Sequence, residues 1–188
     1  NDGLREIGVR AFAGNRAAEL VIPDSVTAVG TGAFVNMANC KSFTIGCNVA
    51  ADSLDGCFYG DSACAEFVVP EDCANYKALD GVLFTKDGER LVSINEGVQA
   101  KDGTYVVPEG TRDLSAYSFF CTKLADVKMP ESLRSIGANA FESARITSLT
   151  LPAEFDTVYG AAFHTCPKLK SLDIGGAKHL GKYSFYCC

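Results

Sequence analysis

The chain has little that suits catalysis or the common ligand chemistries. His164 and His179 are its two histidines. No C-x-x-C or H-x-x-x-H spacing offers a zinc site, and no glycine-rich phosphate loop or G-x-S-x-G elbow is present. No apolar stretch approaches the roughly 20 residues that a helix needs to cross a membrane. The formal charge is −6, so the electrostatic footprint of a nucleic-acid binder is missing. Asn1-Asp2-Gly3 carries no feature of a secretory leader. No catalytic, cofactor-binding or metal-ligating residue is assigned. The reading is of a protein that is not an enzyme and needs no cofactor.

What the chain has is a phrase that recurs from end to end. Its clearest copy is Leu149-Thr150-Leu151-Pro152, then Phe155, Val158, Gly160, Ala162-Phe163, Cys166, Leu169, Leu172 and Ile174. Val127-Lys128-Met129-Pro130 opens a second copy, with Leu133, Ile136-Gly137 and Ala140-Phe141. Leu20-Val21-Ile22-Pro23 opens a third, with Val26, Val29-Gly30 and Ala33-Phe34. Pro108, Pro130 and Pro152 lie 22 residues apart. A period in this range identifies a solenoid of stacked coils, and solenoids offer long surfaces more often than deep pockets. The apolar share of 47% and charged share of 21% fit a folded chain.

Each copy opens on a short alternating run, such as Phe43-Thr44-Ile45 or Tyr105-Val106-Val107, and alternation marks a strand with one buried face. Copies one coil apart stack as a parallel sheet. Proline cannot donate to the ladder, so it ends the strand. A glycine at Gly8, Gly30, Gly137 and Gly181 permits a tight bend. Ser115 takes that place once, and Gly160 is displaced by one residue. Phe12, Phe34, Phe58, Phe119, Phe141, Phe163 and Phe185 then form an aromatic spine.

The pattern L-x-x-[LIV]-x-[IL]-P-x-x-[VL]-x-x-[IV]-G-x-x-A-F-x-x-[CN] resembles the Treponema-type, BspA-like leucine-rich repeats over residues 4–70 and 105–188. The resemblance implies a right-handed, β-rich leucine-rich-repeat solenoid of about seven coils. Short turns or 3-10 segments connect the strands, and a parallel sheet lines the concave face. About seven coils at roughly 4.8 Å make a rod near 35 Å. Residues 1–188 read as one solenoid domain of a longer chain, since the sequence opens and closes inside repeats. Residues 71–104 break the period. There Val82-Leu83-Phe84-Thr85 and Arg90-Leu91-Val92-Ser93 read as strands joined by Lys86-Asp87-Gly88-Glu89, a β-hairpin insert. A boundary between two short solenoids is the alternative reading of this segment.

Nine cysteines are many for this length, but the count is odd and several fall on the repeat. The slot three after the repeat phenylalanine holds Asn15, Met37, Asp61, Thr122, Ala144, Cys166 and Cys188, so the thiols read as small packing units. Cys187 with Cys188, and Cys40 with Cys47, are the pairs with a prospect of bonding. Asp24, Glu71, Glu109 and Glu131 follow strand-ending prolines and read as solvated corners. His164 and His179 read as surface or partly packed side chains.

Alternation sends fourteen residues outward on the sheet: Glu19, Val21, Ser42, Thr44, Glu66, Val68, Thr104, Val106, Asp126, Lys128, Ser148, Thr150, Ser171 and Asp173. This face is the expected partner-binding surface, although it holds none of the aromatics or arginines that anchor interfaces. Tyr59, Tyr76, Tyr117, Phe120, Tyr159, Tyr183 and Tyr186 are candidates for exposed aromatics elsewhere, and Lys86, Asp87 and Arg90 make the hairpin a second contact site. The resemblance implies an extracellular or cell-surface bacterial recognition module, adhesin-like. Its partner would be a host matrix or cell-surface protein, or a glycan. Nucleic acid is not an expected partner, and no part of the chain is expected to insert into a membrane. The alternative is a structural spacer that displays another domain away from the cell.

Overall fold

The computed structural model describes residues 3–60, 66–95, 98 and 103–188. They form two compact units, Asn1–Val98 and Gln99–Cys188, whose boundary falls inside the 71–104 segment. The chain is a β-solenoid of about seven turns built from parallel sheets.

The first unit contains β1 (Glu6–Ile7), β2 (Glu19–Val21), β3 (Ala28–Val29), β4 (Ser42–Thr44), β5 (Glu66–Val68), β6 (Tyr76–Leu79), β7 (Val82–Thr85) and β8 (Arg90–Ile94). Strands β2, β4 and β5 stack in parallel with Leu20, Phe43 and Phe67 in register. These three middle residues point inward, and the first and third of each strand point out. The second unit repeats the plan with β9 (Thr104–Val106), β10 (Asp113–Leu114), β11 (Asp126–Lys128), β12 (Ser135–Ile136), β13 (Ser148–Thr150), β14 (Thr157–Val158), β15 (Ser171–Asp173) and β16 (His179–Leu180). Strands β9, β11, β13 and β15 form its parallel sheet.

A second ladder, which the alternation did not reveal, joins the two-residue strands. β1 pairs with β3 in the first unit, and β10, β12, β14 and β16 pair in sequence in the second. Ile7, Val29, Leu114, Ile136 and Val158 are its buried members.

A third set of inter-coil bonds runs through the Ala-Phe segment. The N–H groups of Tyr117, Phe119 and Cys121 donate to the carbonyls of Ala138, Ala140 and Glu142 at 3.2, 2.8 and 2.9 Å. Asn139, Phe141 and Ser143 bond the next coil likewise, at 3.2, 2.7 and 2.9 Å. Residues two before and two after the spine phenylalanine have positive φ: Tyr117 59° and Cys121 56°, Ala161 55° and Thr165 54°. Three residues of negative φ separate each left-handed pair, and alternate N–H groups reach the next coil while those of Ser118, Phe120 and Thr122 bond back within their own coil at 3.2, 3.1 and 3.1 Å. A left-handed residue at every fourth position interrupts any right-handed helical run. The connecting segments are therefore turns, and the expected 3-10 segments are absent among the described residues.

The bend glycine serves a purpose other than the one expected. Gly30 and Gly137 do not have positive φ. A Cβ on Gly137 would stand 2.6 Å from the backbone nitrogen of Ala116, and one on Gly30 would stand 2.4 Å from that of Val9. Glycine is needed there because two coils approach backbone to backbone. Tyr159 takes the corresponding place in its coil, donating its N–H to Ile136 as Gly137 does to Leu114, which accounts for the displacement of Gly160.

The spine forms within each unit. Phe34 stacks on Phe12 at 5.9 Å and on Phe58 at 5.5 Å. In the second unit the centroids of Phe119, Phe141, Phe163 and Phe185 follow at 4.6, 5.1 and 5.3 Å, with interplanar angles of 12°, 10° and 11°. Asp61, expected in the slot after Phe58, lies outside the described residues.

The segment after Pro70 forms more than a hairpin. β6, β7 and β8 make an antiparallel meander, with Gly88 at φ 83° in the turn before β8. Its first strand is pinned to the preceding coil. Asn75 Nδ2 donates to the Val49 carbonyl at 2.8 Å, and the Tyr76 hydroxyl donates to Ala50 at 2.5 Å. Cys47 and Cys73 are joined by a disulfide. Cys73 follows Pro70 as Val26 follows Pro23, so it holds an inward slot of the repeat.

Candidate functional site

The outward sheet positions are held by the ladders just described, and the structure leaves them accessible. In the first unit Glu19, Ser42 and Glu66 form one row, and Val21, Thr44 and Val68 form the next. Val21 is 66% exposed and Val68 37%, while Ser42 and Thr44 are partly covered. In the second unit Thr104, Asp126, Ser148 and Ser171 form one row. Val106, Lys128, Thr150 and Asp173 lie two residues further along the same strands, with Val106 61% exposed. A groove of about 410 Å³ crosses this second face, lined by Asp126, Lys128, Ser148 and Thr150 and bounded by Glu131 and Pro152. Glu131 was expected only as a solvated corner. Its signal was its place one residue after a strand-ending proline, on the same coil as Lys128.

Other candidate residues are engaged in holding the coils. The Asp24 carboxylate accepts the backbone N–H of Cys47 at 2.7 Å, and Glu109 accepts that of Glu131 at 3.3 Å. These corner carboxylates cap the next coil. In the meander, Asp87 accepts the Thr85 hydroxyl at 2.6 Å and the Glu89 N–H at 2.9 Å, and these bonds hold its carboxyl below the usual range. Lys86 donates to the Glu71 carbonyl at 2.7 Å, and Arg90 pairs with Asp55 at 3.3 Å. The three meander residues expected to make contacts thus bond within the first unit.

His164 stacks on Tyr186 at 5.4 Å and lies 3.4 Å from a Glu142 carboxylate oxygen that belongs to the neighbouring coil. His179 pairs with Thr157 as the first residue of β16. Asp156, beside them, is held below the usual carboxylate range by the Thr157 hydroxyl and by Lys178 at 3.2 Å. Of the aromatics expected at the surface, Tyr159, Tyr183 and Tyr186 are exposed. Tyr76 is buried instead, because its hydroxyl reaches an acceptor under the preceding coil, and burial raises its pKa.

The thiols mostly act as packing units. Cys166 is buried and donates its S–H to the Phe141 carbonyl at 3.0 Å; Cys188 donates to Phe163 at 3.0 Å. A thiol in this slot therefore caps the spine backbone of the coil before it. Burial pushes the Cys166 thiol up to about 12 and the Cys57 thiol to about 11. Neither expected pair forms. Cys187 and Cys188 are free thiols. Cys47 bonds Cys73 rather than Cys40, because the turn after Pro70 lays Cys73 against it, whereas the Cys40 sulfur points at the Ser42 carbonyl 3.3 Å away. Cys47, Asp72 and Cys73 are the one potential metal-binding trio among the described residues, and its two sulfurs are taken up by the disulfide.

Stacked two-sheet coils with a phenylalanine spine and exposed outer rows define a leucine-rich-repeat solenoid. The BspA type leucine-rich repeat region matches residues 1–82 and 103–188 in six copies, and the chain belongs to that family. The unmatched residues 83–102 lie within the segment where the repeat breaks. The crystal structure of the pneumococcal vaccine antigen PcpA is similar at 25% identity, with a TM-score of 0.76 over 95% of this chain and 50% of that one. A leucine-rich repeat protein from Eubacterium ventriosum shares the fold at 16% identity, with a TM-score of 0.68 over 97% of this chain and 61% of that one. The chain thus spans half to three fifths of the length of these relatives. No curated protein matches it.

Proposed function

We propose that the chain is a non-catalytic recognition module of a bacterial cell-surface or secreted protein, adhesin-like, which contacts a protein or glycan partner through its outward sheet rows. The observation that carries this reading is the exposure of Glu19, Val21, Glu66, Val68, Val106, Lys128, Ser148, Thr150, Ser171 and Asp173 on rigidly laddered strands. A preorganised face loses little conformational entropy on binding. Membership of the repeat family and the likeness to PcpA, a pneumococcal vaccine antigen by its title, support a surface location. The Cys47–Cys73 disulfide supports an oxidising compartment. The lack of aromatic or arginine anchors on these rows favours a second reading, a spacer that holds another domain away from the cell.

A screen of the purified chain against matrix-protein and glycan arrays separates the two. Binding that Val68→Arg abolishes, with folding intact by circular dichroism, supports recognition. No binding to any array by the folded chain supports the spacer.

A further inference from the structure

The Cys47–Cys73 disulfide joins two stretches of backbone that other bonds already hold together. On the Cys47 side, the Asp24 carboxylate accepts the Cys47 N–H at 2.7 Å, and Asn48 Nδ2 donates to the Asp24 carbonyl at 2.8 Å. On the other side, the Cys73 N–H donates to the Pro70 carbonyl at 3.1 Å and closes the turn. Just beyond it, the Asn75 and Tyr76 side chains donate to Val49 and Ala50, which follow Cys47. Breaking the S–S bond therefore removes one tie of several, and the two Cα atoms, 4.5 Å apart, stay close. Beside them Asp72 is exposed, and its carboxylate makes no hydrogen bond or ion pair among the described residues. One of its oxygens and the two sulfurs all lie within 4.8 Å of one another.

We propose that the disulfide covers a metal site, and that its reduction lets Cys47, Asp72 and Cys73 bind one Zn2+ ion. A dithiol reductant gives two electrons and two protons to the S–S bond, becomes a cyclic disulfide and leaves two cysteine thiols. Each thiol then loses its proton to solvent as its sulfur bonds the metal. Tetrahedral Zn–S bonds of about 2.3 Å set two sulfurs about 3.8 Å apart. The freed side chains reach this by rotating about their Cα–Cβ bonds, with the backbone ties intact. Asp72 supplies the third ligand, and water completes the tetrahedron from the exposed side. Two thiolates make the set too soft for Mg2+ or Ca2+, which take oxygen ligands. A pair of thiols already held close loses little entropy on chelation. The metal and the disulfide exclude one another, so the site exists only in the reduced chain.

The test uses the whole chain, either oxidised or reduced with a dithiol and desalted without oxygen. Zn2+ is titrated against a chromogenic chelator. The reduced chain is expected to hold one Zn2+ at least about a hundredfold more tightly than the oxidised chain. Cys47→Ser with Cys73→Ser leaves the other seven cysteines in place and is expected to abolish the difference. Asp72→Asn is expected to weaken binding about tenfold, and Glu71→Gln, one residue before it, to leave affinity unchanged. Zn2+ is also expected to slow alkylation of Cys47 in the reduced chain at least about tenfold, as read by peptide mapping. Equal affinity of the oxidised and reduced chains overturns the proposal, as does tight binding retained by the folded double-serine variant. If that variant does not fold by circular dichroism, the alkylation decides, and a Cys47 rate indifferent to Zn2+ overturns the site. An unchanged affinity in Asp72→Asn overturns the three-ligand set. A reduced chain that unfolds with and without Zn2+ also overturns it, since the remaining ties then fail to hold the pair.

Discussion

Removing one ring from the middle of the spine should cost far more than removing one from its end. Phe141 is fully buried and stacks on Phe119 at 4.6 Å and Phe163 at 5.1 Å, both nearly parallel. Phenylalanine-to-alanine changes in a core cost about 3–5 kcal/mol. Two stacked pairs, at about 0.5–1.5 kcal/mol each beyond area, place Phe141→Ala at the upper end, about 4–5 kcal/mol. Phe141→Leu keeps most of the apolar volume but loses both stacks, for about 1–3 kcal/mol. Phe185 is only half-buried and has a single stack, on Phe163 at 5.3 Å, so Phe185→Ala should cost about 1–2 kcal/mol. Urea unfolding followed by circular dichroism measures all three. Domains of this kind have about 5–15 kcal/mol in total, so the ranking is well resolved. Equal costs for Phe141→Ala and Phe185→Ala, or a neutral Phe141→Leu, would refute the stacked-spine account.

Gly137→Ala should destabilise by about 2 kcal/mol or more, since its Cβ would meet Ala116 nitrogen at 2.6 Å; thermal unfolding reads this directly. Ala161→Gly should do the opposite and stabilise by about 1 kcal/mol, because Ala161 sits at φ 55°, and an unchanged or lower midpoint would contradict the left-handed assignment. Reducing the Cys47–Cys73 bond, which closes a 26-residue separation, should remove about 3 kcal/mol and speed hydrogen exchange in β6–β8; peptide mapping should recover the linkage in the untreated chain. Burial raises the Cys57 thiol from 9.0 to about 11. Between those values the unfolded thiol ionises and the folded one does not. Stability should therefore fall as pH rises through this window, by about 1.4 kcal/mol per pH unit from this group, and Cys57→Ala should flatten the fall.

The parts of the fold that depend on side-chain rhythm were readable from the sequence. The Pro, Gly and Ala-Phe marks gave the phase, and the phase gave Leu20, Phe43 and Phe67 inward with Glu19, Ser42 and Glu66 outward. What escaped depends on the backbone. Ala28-Val29 and Ser135-Ile136 are too short to alternate, so the second ladder had no periodic signal. Left-handed positions at Tyr117, Ala161 and Thr165 hide behind residues that seldom adopt that conformation. The bend glycine was visible, but its reason, contact between coils, is a property of two copies rather than one. Cys73 was legible in principle, since Pro70-to-Cys73 spacing equals Pro23-to-Val26. The broken period after it removed the frame that would have set it against Cys47. Outward orientation was legible for the candidate face; which outward residues share a row emerged only from the register.

The most direct test of the central claim is binding of the purified chain to a panel of host matrix proteins and glycans, measured beside Val68→Arg. The account predicts saturable binding to at least one member that Val68→Arg reduces at least about tenfold while the fold is retained. Binding of equal strength by both proteins would contradict it.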